Sequence, residues 1–262
     1  MIRRNLTWVV LGVVLIAVAI TSVVLLRSDP PTPAETRETL LSVPHEMQIN
    51  LSIDIPKGSE TDNQPHQEID AQGVVDFSSS EAEFTYDFNG LINAAGYLGH
   101  LDEMRVLYSG DSAYYEIFAE QPEWLRIQPE DVNEDNSGRL REIMLTNPLV
   151  ITSYFDVESP ARQTSDGLTL VIRPGSLADV TDPAVAELGT FLEERGAEEI
   201  RVDLSAGDDG QDVIVVSFTY NALEGIDVPI EVVATYKFTP ASAPEFEIPA
   251  GDDLREFSDL FS

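Results

Sequence analysis

Residues 47–55 read Met47-Gln48-Ile49-Asn50-Leu51-Ser52-Ile53-Asp54-Ile55, apolar and polar side chains in strict alternation. Successive side chains of an extended chain point to opposite sides, so a period of two describes a strand with one face buried and one in water. The same pattern returns near the other end of the chain. There Ile230, Val232, Ala234, Tyr236 and Phe238 alternate with polar positions that include Glu231, Thr235 and Lys237. A slip of one residue would turn either set inside out, so both stretches specify their register as well as their conformation.

Working outward from 47–55, further strands are expected at residues 69–77, 82–88, 104–108, 113–118 and 124–127. A second group is expected at 149–155, 168–172, 200–204, 213–220 and 230–238. Short separators rich in Ser, Gly, Asp and Asn join many of them, as they do between antiparallel neighbours. Two helices are better marked than the rest. Thr32 and Glu35 stand in capping-box spacing with Pro33 between them, which predicts a helix over 33–41 ending near Pro44. Asp182 and Pro183 start another, with Val185, Leu188 and Leu192 as its apolar stripe and Gly196 as its stop. A shorter helix is expected over 139–145, before Asn147-Pro148. A long sheet with few helices makes the fold α+β.

The N-terminus carries a different signal. Between Arg4 and Arg27 no residue is charged, and from Trp8 to Leu26 only Thr21 and Ser22 are polar. At about 1.5 Å per helical residue that run reaches roughly 28 Å, close to the thickness of a hydrocarbon core. Residues 6–26 are therefore expected to be one transmembrane helix. Ala17-Val18-Ala19 offers a signal-peptidase pattern, but cleavage there would leave the apolar residues 20–26 as the new terminus, and the length argues for an uncleaved anchor. Arg3 and Arg4 keep residues 1–5 cytoplasmic by the positive-inside rule, so the chain is a single-pass protein of the cell membrane. Residues 27–33 form a proline-containing linker, and residues 34–262 a single extracytoplasmic domain.

Composition narrows the function. The formal net charge is −32, and Arg3 and Arg4 stand before the apolar run, so the outer domain is more negative still. Such a surface repels phosphates and anionic headgroups; nucleic acid and basic-patch membrane binding are disfavoured. There is no cysteine, hence no disulfide framework, no thiolate metal site and no lipidated cysteine. Stability has to come from packing.

The order of a tyrosine-bearing hairpin (VLYSGDSAYY, 106–115), a tryptophan strand (Glu123-Trp124-Leu125), a helix between strands, a closing pair of strands and a P-x-F-x-I-P-A tail (244–250) resembles the LppX/LprG-type lipoproteins of the LolA-like superfamily. The resemblance covers most of residues 33–250 and rests on spacing and pattern. It implies a strongly curved antiparallel half-barrel with helices on its concave side, holding acyl chains of lipids or of lipidated proteins and handing them on in the cell envelope without catalysis. The chain departs from that family in lacking the lipobox cysteine, which replaces a lipid anchor by a fixed transmembrane tether.

Holding an acyl chain needs an apolar concavity, at about 0.8 kcal/mol per buried methylene. The inward-facing positions expected to line it are Val75, Phe77, Phe84, Tyr86, Val106, Tyr108, Trp124, Val215, Tyr236 and Phe238, beneath Leu188 and Leu192 of the helix stripe. Any β-rich domain needs such residues to fill its core, so the sequence leaves open a non-catalytic envelope interaction module with a filled interior.

No catalytic constellation is legible. Gly110-Asp111-Ser112 matches the nucleophile block of GDS-type lipases, but His45, His66 and His100 all precede the serine, and those enzymes need a downstream histidine. The tripeptide reads as a hairpin turn. Asp131, Asn133, Asp135 and Glu142 fall at positions one, three, five and twelve of a calcium-loop spacing, with Asn136 where glycine is usual and Gly138 where an apolar residue is usual. A calcium loop and a solvated acidic loop both remain open. The scattered histidines give no zinc spacing, and no cofactor is expected.

Overall fold

Thr32 and Glu35 form the reciprocal cap that their spacing predicts. The computed structural model describes residues 32–54, 66–87, 103–110, 112–116, 124–128, 147–163, 167–180, 183–206, 211–223, 226–251 and 254–256. In it the Glu35 N–H donates to the Thr32 hydroxyl at 3.3 Å, and the Thr32 N–H donates to the Glu35 carboxylate at 2.8 Å. Helix α1 (Pro33–Ser42) follows and buries Leu40.

The strands are β1 (His45–Asp54), β2 (His66–Asp76), β3 (Glu81–Asp87), β4 (Glu103–Ser109), β5 (Ser112–Glu116), β6 (Trp124–Ile127), β7 (Ala161–Gln163), β8 (Gly167–Ile172), β9 (Ile200–Ala206), β10 (Asp212–Leu223), β11 (Ile226–Pro240) and β12 (Leu254–Glu256). They form one sheet in the order β12-β6-β5-β4-β3-β2-β1-β11-β10-β9-β8-β7. Every pairing is antiparallel except β12 on β6. Two meanders meet in this order. One runs outward from β1 to β6, the other inward from β7 to β11, and the two strictly alternating stretches, β1 and β11, join them at the centre. The sheet ends at β12 and β7, so it is open, and the domain is α+β.

This topology requires the chain to travel from β6, near one edge, to β7 at the other. The segment 149–155, expected as a strand, lies on that crossing and is a 3-10 helix, Pro148–Phe155. Its start is set locally: Asn147 accepts the Leu149 N–H at 3.0 Å, with Pro148 next in line. Its run Leu-Val-Ile-Thr-Ser-Tyr-Phe is mostly apolar without a period, which marks burial on several sides as readily as a strand. Val150, Ile151, Tyr154 and Phe155 join the core.

A second 3-10 helix, Pro174–Asp179, and helix α2 (Pro183–Glu194) pack together. Val185, Leu188 and Leu192 are buried, as the stripe predicts. Gly196 ends α2 with φ +74°, a left-handed conformation that costs glycine little. The Ala197 N–H returns to the Leu192 carbonyl at 2.9 Å. Ser109 pairs with Ser112 across the Gly110-Asp111 connection, so the expected hairpin is present. Strands β7 and β12 and the second 3-10 helix were not anticipated. The apolar stretch 6–26, the helix expected over 139–145 and the calcium-type spacing 131–142 lie outside the described residues. None of the described helices is long and apolar enough to cross a membrane.

Candidate functional site

Alternation sorts the sheet into two faces, and cross-strand register arranges each into rows. On the apolar face one row runs Phe238, Met47, Gly73, Phe84, Val106, Tyr115, Leu125 from β11 to β6. The next holds Tyr236, Ile49, Ala71, Tyr86 and Met104. Leu40 of α1, Val150, Ile151, Tyr154 and Phe155 of the first 3-10 helix, Leu177 of the second, and Val185, Leu188 and Leu192 of α2 pack onto this face.

Of the expected lining, Val75, Phe77, Phe84, Tyr86, Val106, Tyr108, Leu188, Leu192, Tyr236 and Phe238 come together in this one cluster. Val215 and Trp124 do not. Val215 alternates with the buried Ile214 and Val216 and lies half-buried on the opposite face. Trp124 alternates with the buried Leu125, faces the same opposite side, and lies 5.4 Å from the Arg105 guanidinium carbon. The assembled residues are buried, and Val75 and Leu192 retain no exposed surface.

Five tyrosines meet inside this layer. The hydroxyls of Tyr86 and Tyr108 lie 3.2 Å apart, although their residues sit at opposite ends of the paired β3–β4 segment. Their rings therefore lean towards each other along the strands. Tyr115, Tyr154 and Tyr236 are buried, and among the described residues no hydrogen bond to their hydroxyls is seen. Burial, and secondarily a neighbouring phenol, raises each of their pKa values well above the ordinary one: Tyr108 is that neighbour for Tyr115 and Tyr236, and Tyr236 for Tyr154. All three are neutral at any physiological pH. Among the described residues the fully enclosed side-chain polar atoms without a hydrogen bond are the two His45 ring nitrogens and Arg37 Nε, not these hydroxyls. The sequence reading missed Tyr115 and Tyr154. Tyr114-Tyr115 has no alternation of its own, though parity with Ala113 on β5 points Tyr115 inward; Tyr154 was hidden by the misread helix.

The opposite face carries a polar groove of about 590 Å³, lined in part by Gln48, Asn50, Asp70, Gln72, Asp87 and Glu103. Asn50 donates to Asp70 at 2.9 Å. Register sets Asp70 opposite Asp87 and Asp87 opposite Glu103, three carboxylates in one row. Among the described residues no His, Asp and Glu side chains are grouped to hold a metal ion. The groove offers hydrogen bonds and negative charge. Ser112 pairs with Ser109 in the hairpin. Compared with known proteins, the chain matches no family model and no curated relative.

Proposed function

We propose that this chain is a membrane-tethered, extracytoplasmic lipid-binding protein that takes acyl chains between the apolar face of its sheet and the helices over it, then hands them on within the cell envelope. The carrying observation is that, among the described residues, this face is covered by short helices and not by a second sheet. Helices satisfy their own backbone hydrogen bonds, so lifting them breaks side-chain contacts and no β-ladder. In this reading the open sheet is a strongly curved half-barrel with the helices on its concave side, as the resemblance to LppX/LprG-type lipoproteins implies. Residues 6–26 supply the tether, with the N-terminus cytoplasmic.

Because the lining is buried, an acyl chain must displace side chains to enter. A sixteen-carbon chain gains roughly 12 kcal/mol on leaving water, at about 0.8 kcal/mol per methylene, which is large enough to offset a partial separation of the helices. The full-length chain purified in a mild detergent is expected to carry lipid detectable by mass spectrometry and to bind a fluorescent acyl probe saturably.

The burial of the lining also favours a second reading, an envelope interaction module with a filled core and an acidic surface. Protein free of lipid, without saturable probe binding, but crosslinking in cells to one recurrent partner would establish that reading and remove the first.

A further inference from the structure

We infer that helix α1 is an acid-released latch: protonation of His45 frees Pro33–Ser42 from the core, and the freed segment lengthens the linker that leads into the sheet. The inference goes beyond the lipid-binding reading and holds whether or not a lipid is bound.

His45 opens β1 on the buried face, paired with Val75 on one side and Pro240 on the other. It keeps 2% of its surface exposed, and its ring lies 6.2 Å from that of Phe77 and 5.9 Å from that of Phe238. Both ring nitrogens are fully enclosed and have no hydrogen-bond partner. The Thr39 and Leu40 carbonyls, in the last turn of α1, face the ring without closing a hydrogen bond to it. The charges that face it are Asp76, at the end of β2, and Asp212, at the start of β10, and neither is bonded to it. From β11 it meets the Phe238 ring. An imidazolium here would lose its water and hold two N–H donors without acceptors. The ring therefore takes a proton only where water reaches it.

The strands around His45 do not yield easily. β1 is paired along its length to β2 and β11 in the middle of the sheet. Helix α1 is held by less. Leu40 is its buried residue, Leu41 packs partly, and Arg37 meets Asp156 at 2.7 Å with the two side chains 39% and 45% exposed. An ion pair so exposed adds little. Lifting α1 breaks no strand pairing and brings water to the ring, so it is the least costly opening that admits the proton. A helix of ten residues is too short to persist in water once it leaves the core. It unwinds, and a segment that rose about 1.5 Å per residue can then extend to about 3.3 Å per residue. The Ala241 N–H donates to the Pro44 carbonyl at 2.8 Å and pins the chain just beyond. Because α1 is the first element of the unit Thr32–Ser262, what it releases adds to the linker from residues 6–26.

Hydrogen exchange of the full-length chain in a non-ionic detergent is followed by mass spectrometry at about pH 7.5 and about pH 5.5, with rates corrected for the intrinsic pH dependence of exchange. A histidine that titrates near pH 6.5 when open favours the open form by up to about tenfold one unit lower. Amides 36–42 are expected to lose protection about three- to tenfold at the lower pH in the wild type, and less than about twofold in His45→Phe. Amides 232–238 of β11 are expected to hold their protection in both. Arg37→Ala, which removes the ion pair, is expected to lower protection of 36–42 at both pH values and to keep the wild-type ratio between them. Equal acid losses in the wild type and His45→Phe overturn the latch. So does a rise in protection of 36–42, which would mean that the imidazolium binds the Thr39 and Leu40 carbonyls and tightens α1. Loss of β11 protection in step with α1 would show that acid unfolds the domain as a whole, and would also overturn it. The wild-type contrast between α1 and β11 tests the release by itself, should the His45 variant fail to fold.

Discussion

At the scale of single residues, His45 is the clearest case of chemistry set by position. It begins β1 with its ring centroid 6.2 Å from that of Phe77 and 5.9 Å from that of Phe238, and neither ring nitrogen has a hydrogen-bond partner. Burial lowers its pKa below 6.5; the carbonyls of Leu40 and Thr39 and the charges of Asp212 and Asp76 pull upward without prevailing. The unfolded chain therefore takes up a proton that the folded ring refuses, so this stability is complete above about pH 6.5 and is lost as pH falls towards the folded value. Urea unfolding at about pH 7.5 and 5.5 should show the wild type losing more stability than His45→Phe, by up to about 1.4 kcal/mol for each unit of depression. His66 acts in the opposite sense: the hydrogen bond it donates to the Asp54 carboxylate raises its pKa, so its contribution is present below the unfolded value and lost as pH rises through the folded one. Comparing wild type with the His45 variant cancels it; equal pH slopes in the two proteins would refute the assignment. Gly73 gives a second test. A Cβ there would run into the Glu83 carbonyl oxygen and come 2.8 Å from Phe84 Cα. Gly73→Ala gains some backbone entropy but must push β2 from β3, for a net loss of about 2 kcal/mol or more, read as a lower urea midpoint. A variant as stable as wild type would mean that the two strands part freely.

At the scale of elements, the crossing 3-10 helix depends on its first residue. Asn147→Ala removes the acceptor for the Leu149 N–H and should cost about 1 kcal/mol, whereas Asn147→Asp keeps an oxygen there and should cost much less. Equal losses for the two variants, measured by thermal unfolding, would show that packing of Val150 and Ile151, and not the cap, holds the helix. This element was also the least legible in the sequence. Strands β1 and β11 declare themselves by alternation, and α1 and α2 by caps and stops, because local geometry dictates those patterns. The run 149–155 is apolar but for Thr152 and Ser153 and carries no clear period, and the Asn147-Pro148 start together with the need to cross the sheet makes it helical. Val215 failed for a related reason. Val213-Ile214-Val215-Val216 has no alternation, although carrying the parity back from Ser217 and Phe218 assigns Val215 to the polar face. Trp124 was expected among the lining, whereas Leu125 and Ile127 alternate with Trp124 and Arg126 and assign it outward. Strands β7 and β12, three residues each, are too short to carry a period. Tyr86, Tyr108 and Tyr236 were legible as inward-facing, but which hydroxyls meet was not, because that depends on how rings lean across strands.

At the scale of the whole molecule, charge opposes what packing achieves. The chain has 47 acidic residues against 15 lysines and arginines, and folding draws the acids together. The pairs Arg37–Asp156, Arg105–Glu83, Arg126–Glu256 and Arg201–Asp203 are largely exposed, and such pairs are worth about 0–1 kcal/mol each. Against them stand the facing carboxylates of Asp70, Asp87 and Glu103, a row of like charges across β2 and the paired ends of β3 and β4. Repulsion should therefore exceed attraction. Raising sodium chloride from about 0.01 to about 1 M shortens the screening length from about 30 to about 3 Å, and should raise the unfolding temperature by several degrees. A fall would mean that the ion pairs dominate and that the acidic face stabilises the fold. Magnesium at matched ionic strength tests whether this screening is diffuse: a shift equal to sodium's means that no site is filled. Calcium discriminates further: a rise in unfolding temperature at concentrations too low to screen cannot come from a diffuse surface charge. Such a rise would have to come from ligands at defined spacing, and abolition by Asp131→Asn and Glu142→Gln together would place it in the 131–142 segment.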